Sequence, residues 1–445
     1  MLVMNVASAA LALALQQPAP AAPLLPADSA VRALVAPRVT LPGTGMVVGL
    51  LDASGARRFV AVGVPDDRVF EIGSVTKTFT AAILADMVAR GEVRLDDPVA
   101  KFLPASVRVP SYNGKQITLV DLATQSSGLP RLPGDFAPHD SSNPYADYSV
   151  AQLYAFLSSY QLPRDVGATY EYSNLGMGLL GHALTLKARM SYEDLVHQRV
   201  LTPLGMRETA VTLTPALAAR LTPGHDAEGH VVPNWDLPTL AGAGALRSTA
   251  RDMLTFLAAN IDTARAALNR ELATTHAPRR AAGSPAMQIG LAWHILSRPG
   301  GSIVWHNGGT GGYRSFVGFD PVRRVGIVIL ANSNNAAVDD LGFHLIDQTF
   351  SLQPLPQPRT EIALDSTVLA RYVGEYELAP TFHITITREG TRLFLQATAQ
   401  PRVPIYAESD STFFLKVVEA QVTFRPDGIV LHQNGQHIPG RKLPQ

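Results

Sequence analysis

Val69-Phe70-Glu71-Ile72, then Gly73, then Ser74-Val75-Thr76-Lys77 passes from a strand-like pattern into a helical one. Beyond Lys77, Phe79, Ile83 and Met87 recur at i+4, Val88 adds width and Gly91 suits a C-cap, which predicts a helix up to Arg90. Ser and Lys three apart on a helix share a face, with Cβ atoms roughly 5–6 Å apart. A serine hydroxyl is a poor nucleophile until a neighbouring base takes its proton. A lysine buried beside it can be that base, because desolvation disfavours the ammonium form. The helix N-terminus also favours negative charge at the serine oxygen. Of the six lysines, only Lys77 has a Ser three positions before it. Alone, the pair also describes an N-capping serine followed by a solvated lysine.

Two later strings extend the pattern. Tyr172-Ser173-Asn174, in Glu171-Tyr172-Ser173-Asn174-Leu175-Gly176, precedes an apolar helical stretch and is the only Tyr-x-Asn in the chain. A tyrosine oxygen near an ammonium can relay the serine's proton, and the asparagine can bind a substrate amide carbonyl and the lysine. Capping of the next helix by Ser or Asn is the other reading. His306-Asn307-Gly308-Gly309-Thr310-Gly311-Gly312-Tyr313 leads into a strand. Glycines on a strand beside a site let a substrate backbone approach; a Gly-rich hairpin is the alternative. No Gly-Lys-Ser/Thr follows, which disfavours a phosphate loop.

In this order the three strings resemble the serine β-lactamase and penicillin-binding protein superfamily, in particular its class C β-lactamase branch with esterases, D-aminopeptidases and D-alanyl-D-alanine carboxypeptidases. Leu95-Asp96-Asp97-Pro98, Ser127-Gly128-Leu129-Pro130, Pro203-Leu204-Gly205-Met206 and Gly244-Ala245-Leu246-Arg247-Ser248-Thr249-Ala250 add to the likeness, which runs from about Ser29 to Leu352. The resemblance implies an α+β fold: an antiparallel sheet flanked by helices, plus an all-helical region. It implies Ser74 as acylated nucleophile, Lys77 as its activating partner, and Tyr172 as general base and proton source for the leaving group. Asn174 would orient the substrate amide, with the Ser74 and Gly309 N–H groups as oxyanion hole. No cofactor and no metal are implied. Where many β-lactamases have Lys-Thr-Gly, this chain has His306-Asn307-Gly308. Histidine is partly neutral near pH 7, which favours D-amino-acid peptides, amides or small esters over penicillins. A substrate carboxylate would be met by His306 or Arg314. A β-lactamase or a non-turnover penicillin sensor or scaffold is the alternative.

The chain has 445 residues, 37 basic and 37 acidic side chains, 46% hydrophobic content and no cysteine. The absent cysteine excludes disulfides, thiolate metal sites and cysteine nucleophiles, and the zero net charge disfavours nucleic acid as a partner. Met1 to Leu15 reads as a secretory h-region, with Ala19-Pro20-Ala21 as a cleavage stretch. This predicts an exported, periplasmic or secreted protein without a membrane anchor, acting on a small-molecule or peptide substrate. The expected division is signal and spacer 1–28, hydrolase 29–352, Pro-rich linker 353–363 and a small all-β unit 364–445. The last, with Tyr372-Val373-Gly374-Glu375-Tyr376, resembles a lipocalin-like barrel. His225-Asp226-Ala227-Glu228-Gly229-His230 has metal-ligand residue types but reads as a solvated hairpin turn. Gly-x-Ser-x-Gly is absent, so no nucleophile elbow is present.

Overall fold

A computed structural model describes residues 25–355, 359–379, 382–398, 402–415, 420–433 and 436–444. The apolar leader, its cleavage stretch and Pro356 to Pro358 of the linker lie outside the described residues. Eight strands form one sheet: β1 Met46–Leu51, β2 Arg57–Val62, β3 Arg280–Ala281, β4 Met287–Ile289, β5 His294–Arg298, β6 Gly301–Gly309, β7 Arg314–Asp320 and β8 Val325–Ala331. Their order is β2-β1-β8-β7-β6-β5-β4-β3, antiparallel throughout. The first and last strands of the chain's main part therefore pair, as expected, with Val47 opposite Leu330.

The helices that matter here are α1 Asp28–Val35, α2 Thr76–Ala89, α3 Asn174–Ala188, α4 Ala250–Ile261 and α5 Asp339–Ile346. β1 reads Met-Val-Val-Gly-Leu-Leu without alternation because both of its faces are covered. Met46, Val48 and Leu50 pack with Val31 and Val35 of α1 and Leu341 and Leu345 of α5. Val47 and Leu51, pointing the other way, join Phe79 of α2 and Phe256 of α4. Phe79 and Phe256 stack with centroids 4.1 Å apart. The two-residue period sorts one strand's side chains into two cores.

α2 departs from the amphipathic helix predicted. Every residue from Thr76 to Met87 is buried, so it is a central helix sheathed on all sides. A 3₁₀ turn, Gly73–Val75, leads into it. Lys77 therefore lies in the interior, which excludes the solvated-lysine alternative.

The glycine-rich string, read as strand glycines or as a hairpin, divides between the two. His306 to Gly309 are themselves strand, the end of β6, and the tight turn before β7 is Thr310 to Tyr313.

The C-terminal unit is a closed barrel of eight antiparallel strands in meander order, from Gly374–Ala379 to Gln436–Lys442, closed by Tyr376 opposite Lys442. Tyr376, Ile384, Leu395, Val422 and Phe424 fill it. Five strands were legible as alternating runs. Gly374–Ala379, Val403–Ala407 and Gln436–Lys442 were not, because Gly, Pro and charged residues interrupt their apolar positions. Among the described residues no helix is long and apolar enough to cross a membrane.

Candidate active site

The turn that carries Ser74 is built by close backbone approach. Gly73 sits at φ +49°, and a Cβ there would fall 2.8 Å from the Gly309 nitrogen. A Cβ on Gly308 would fall 2.1 Å from the Ile72 carbonyl oxygen, which Ser315 Oγ also reaches at 2.8 Å. Glycine is thus required where β6 meets the turn. Arg247, from one of the supporting strings, pairs with buried Glu71 at 3.3 Å and steadies the entry to the turn. Gly308→Ala is expected to destabilise the fold by about 1–3 kcal/mol through overpacking against backbone. It should also lower turnover by displacing Ser74. A thermal melt beside steady-state rates checks this, and an unchanged melting temperature would show that the strand gives way freely.

The Lys77 side chain is 0% exposed, and its Nζ reaches Ser74 Oγ at 2.8 Å, Asn174 Oδ1 at 2.9 Å and the Ala243 carbonyl at 2.7 Å. The last two partners can only accept. An uncharged amine has two N–H donors and one lone pair. As an ammonium Nζ donates to all three; as a neutral amine it keeps its donors on Ala243 and Asn174 and can turn its lone pair to the Ser74 hydroxyl. Burial, reinforced by the Arg131 charge, pulls the Lys77 basicity well below its ordinary value of 10.5. Burial favours the neutral amine, the form that can take the serine proton.

Tyr172 and Asn174 are set by a clamp from the Ser127-to-Arg131 loop and its approach. The Gln125 carbonyl accepts the Glu171 N–H at 2.7 Å and Gln125 Oε1 accepts the Ser173 N–H at 2.7 Å. Ser173 Oγ donates to the Pro130 carbonyl at 2.6 Å and accepts the Gly176 N–H at 2.8 Å, capping α3. Ser173 does act as the cap, but Tyr172 is not core filler. Its phenol is close enough to Ser74 to be influenced by that hydroxyl, and Lys77 Nζ lies over its ring at 4.9 Å. Burial pushes the Tyr172 phenol well up, against opposing pulls from Ser74 and Arg131, so it is protonated at neutral pH. Asn174 donates from Nδ2 to Tyr145 Oη at 3.0 Å, which fixes its Oδ1 on Lys77.

A cleft of about 930 Å³ opens on this cluster, lined by Ser74, Tyr172, Asn174, Gly308, Gly309 and Arg314 among the expected residues. His306 does not line it, and the expectation that His306 meets a substrate carboxylate is corrected. It is 1% exposed, tilted against Tyr172 and His294 with centroids 6.3 and 5.2 Å away. Its Nδ1 contacts the Asn307 carbonyl at 2.5 Å. Burial, with His294 and Lys77 adding to it, holds His306 well below the usual histidine range, so it carries no charge at pH 7. The reason is register: strand alternation sends His306 inward and leaves Asn307 at the cleft. Arg314 does reach the cleft, half-buried over Gly309, where its charge faces Asp339.

Among the cleft residues to which the sequence reading gave no role are Arg131, Tyr145 and His294. Arg131 directly follows Ser127-Gly128-Leu129-Pro130, and Tyr145 sits in the loop that follows; both were within reach of the motif. His294, bonded through Nε2 to Tyr170 Oη at 2.9 Å and lowered by burial to about 4, had no signal, since its strand was not recognised. His225 and His230 flank a small hairpin turn, as expected, but only His230 is solvated: His225 is buried against the Asn332 carbonyl at 3.1 Å. Among the described residues no group of three or more metal-ligating side chains assembles.

A central helix carrying Ser and Lys, set between an antiparallel sheet and a helical region holding Tyr and Asn, is the architecture of the β-lactamase and transpeptidase class. The chain belongs to the Beta-lactamase family, which matches residues 31–349. Residues 358–433 match a family described as a domain of unknown function, DUF3471. The chain is 30% identical to the D-alanyl-D-alanine-carboxypeptidase/endopeptidase AmpH of Escherichia coli K12, over 59% of this chain and 71% of that protein. It is 27% identical to penicillin-binding protein 4* of Bacillus subtilis, over 80% and 82%. A class C β-lactamase structure from Rhodobacter sphaeroides aligns with TM-score 0.62 and 26% identity, over 73% of this chain and 99% of that one.

Proposed function

We propose that the protein is a serine hydrolase that works through an acyl-enzyme on Ser74, acting on D-amino-acid peptides, amides or small esters. The observation that carries this is the buried Lys77 Nζ, held 2.8 Å from Ser74 Oγ and anchored on the Ala243 carbonyl and Asn174 Oδ1. In this scheme Lys77 accepts the serine proton as Oγ attacks the substrate carbonyl. The Ser74 and Gly309 N–H groups hold the oxyanion. Tyr172, protonated and beside Ser74, passes a proton to the leaving group as the tetrahedral intermediate collapses. Asn174 orients the acyl amide, and water then hydrolyses the ester on Ser74 by the reverse relay.

The peptide or ester preference is supported by His306, which is uncharged and withdrawn from the cleft. The name of the E. coli relative points the same way, whereas other relatives, 27–28% identical, are named β-lactamases. Turnover of a D-Ala-D-Ala peptide, a p-nitrophenyl ester and a penicillin, measured side by side, tests the preference. Penicillin turnover at a kcat/KM above the other two would replace this reading with β-lactamase, and a stable penicilloyl adduct without turnover would favour the peptidase.

The proposed division is a hydrolase over 29–352, a linker over 353–363 and the barrel over 364–445. The two family matches, ending at 349 and resuming at 358, support it. Export, proposed from the apolar Met1 to Leu15, would place the enzyme where D-amino-acid peptides of the cell wall occur.

The pH profile has a definite sign. Lys77 must be neutral to act, and its basicity is depressed, so kcat/KM rises with pH on a limb centred below 10.5. Tyr172 is raised, so no loss from phenol ionisation follows through pH 9. Rates that fall between pH 6 and 9 would contradict the scheme.

A further inference from the structure

Two guanidinium groups line the cleft, Arg131 and Arg314. Arg314 packs on Gly309 and faces Asp339. Arg131 is placed differently. Its side chain is exposed, its Cζ stands 5.2 Å from the Tyr172 ring centroid, and among the described residues it forms no ion pair. Its backbone is nevertheless fixed, because its carbonyl accepts the N–H groups of Asn174 at 3.0 Å and Leu175 at 3.2 Å. The guanidinium is therefore carried by the same clamp that sets Tyr172 and Asn174, beside Ser74. An unpaired guanidinium on a fixed base offers a planar fork matched to a carboxylate.

We propose that Arg131 receives a carboxylate of the substrate, so that the enzyme selects acyl compounds bearing an anionic group over neutral ones. This rests on the hydrolase reading and adds the substrate class to it. It also supplies the cation that His306 does not. The carboxylate belongs either to the acyl part or to the leaving group, and the test separates the two.

Arg131 has a second effect on the site. It lowers the basicity of Lys77, which is faced also by Tyr172 from the α3 approach and by His294 and His306 from the sheet. A carboxylate on Arg131 cancels part of that field and makes the amine a stronger base once substrate is bound.

The full-length protein is assayed with two substrate pairs. p-Nitrophenyl succinate against p-nitrophenyl butyrate varies charge on the acyl side, and an N-acyl-D-Ala-D-Ala peptide against its C-terminal amide varies it on the leaving group. In Arg131→Gln the anionic-to-neutral ratio of kcat/KM should fall about tenfold or more for one pair, which identifies the side. Arg131→Lys should restore part of that ratio. The ascending pH limb should also move to higher pH in Arg131→Gln, a change that mere loosening of an exposed side chain does not produce. Unchanged ratios for both pairs, or a larger loss in Arg314→Gln than in Arg131→Gln, would overturn the assignment. Failure of the wild type to turn over even the neutral substrates would instead remove the hydrolase reading on which it rests.

Discussion

Ser74→Ala should lower hydrolysis of every substrate by a factor on the order of 10⁴ to 10⁶, the range lost when a serine nucleophile is deleted. The reasoning is local. Ser74 is the hydroxyl that the Lys77 amine, the Tyr172 phenol and the cleft all reach, and alanine removes only that oxygen. Stability should change by no more than about 1 kcal/mol, since one hydrogen bond is lost beside a solvent-filled cleft. A folded, inactive variant is the expected outcome, measured by turnover together with thermal denaturation. Residual activity within about tenfold of wild type would move the nucleophile elsewhere.

Lys77→Met should cost on the order of 10² to 10⁴ in kcat/KM by removing the base. Its effect on stability is set by two opposed changes. Methionine fills the volume of the lysine stem and removes a buried polar head, while the Ala243 carbonyl and Asn174 Oδ1 lose their donor at about 1–3 kcal/mol each. The orphaned acceptors win, because a neutral amine has little desolvation to recover. A modest fall in melting temperature is therefore expected beside the large kinetic loss. Lys77→Arg separates base from charge: arginine keeps a cation but cannot give up its proton, so it should be as inactive as methionine. An active Lys77→Arg variant would mean that Lys77 acts through its charge and that Tyr172 is the base.

Much of this was legible before any coordinates. Ser74 and Lys77 were readable as a pair because helical spacing alone brings them together, but the burial of Lys77 was not, since Thr76, Thr78, Thr80 and Asp86 interrupt the apolar residues of its helix. Tyr172 and Asn174 were readable only as a motif, since the Lys77–Asn174 bond joins residues 97 apart in sequence. The strands β3 to β6 were not recognised as such. β3 and β4 are too short to show a period, and the glycines of β6 resemble a turn when the partner strand is unknown. That omission produced the error at His306. A residue on a strand has its direction fixed by parity, and without the register of β6 that direction could not be read. The unpaired state of Arg131 could not be read either, because pairing depends on which carboxylates the fold brings near.

The account stands most directly on one measurement. The full-length protein is incubated with a fluorophosphonate, and its intact mass and proteolytic peptides are recorded. A single adduct per chain, on the peptide containing Ser74 and absent in Ser74→Ala, is the predicted result. An unmodified chain, or an adduct carried by another residue, would contradict it.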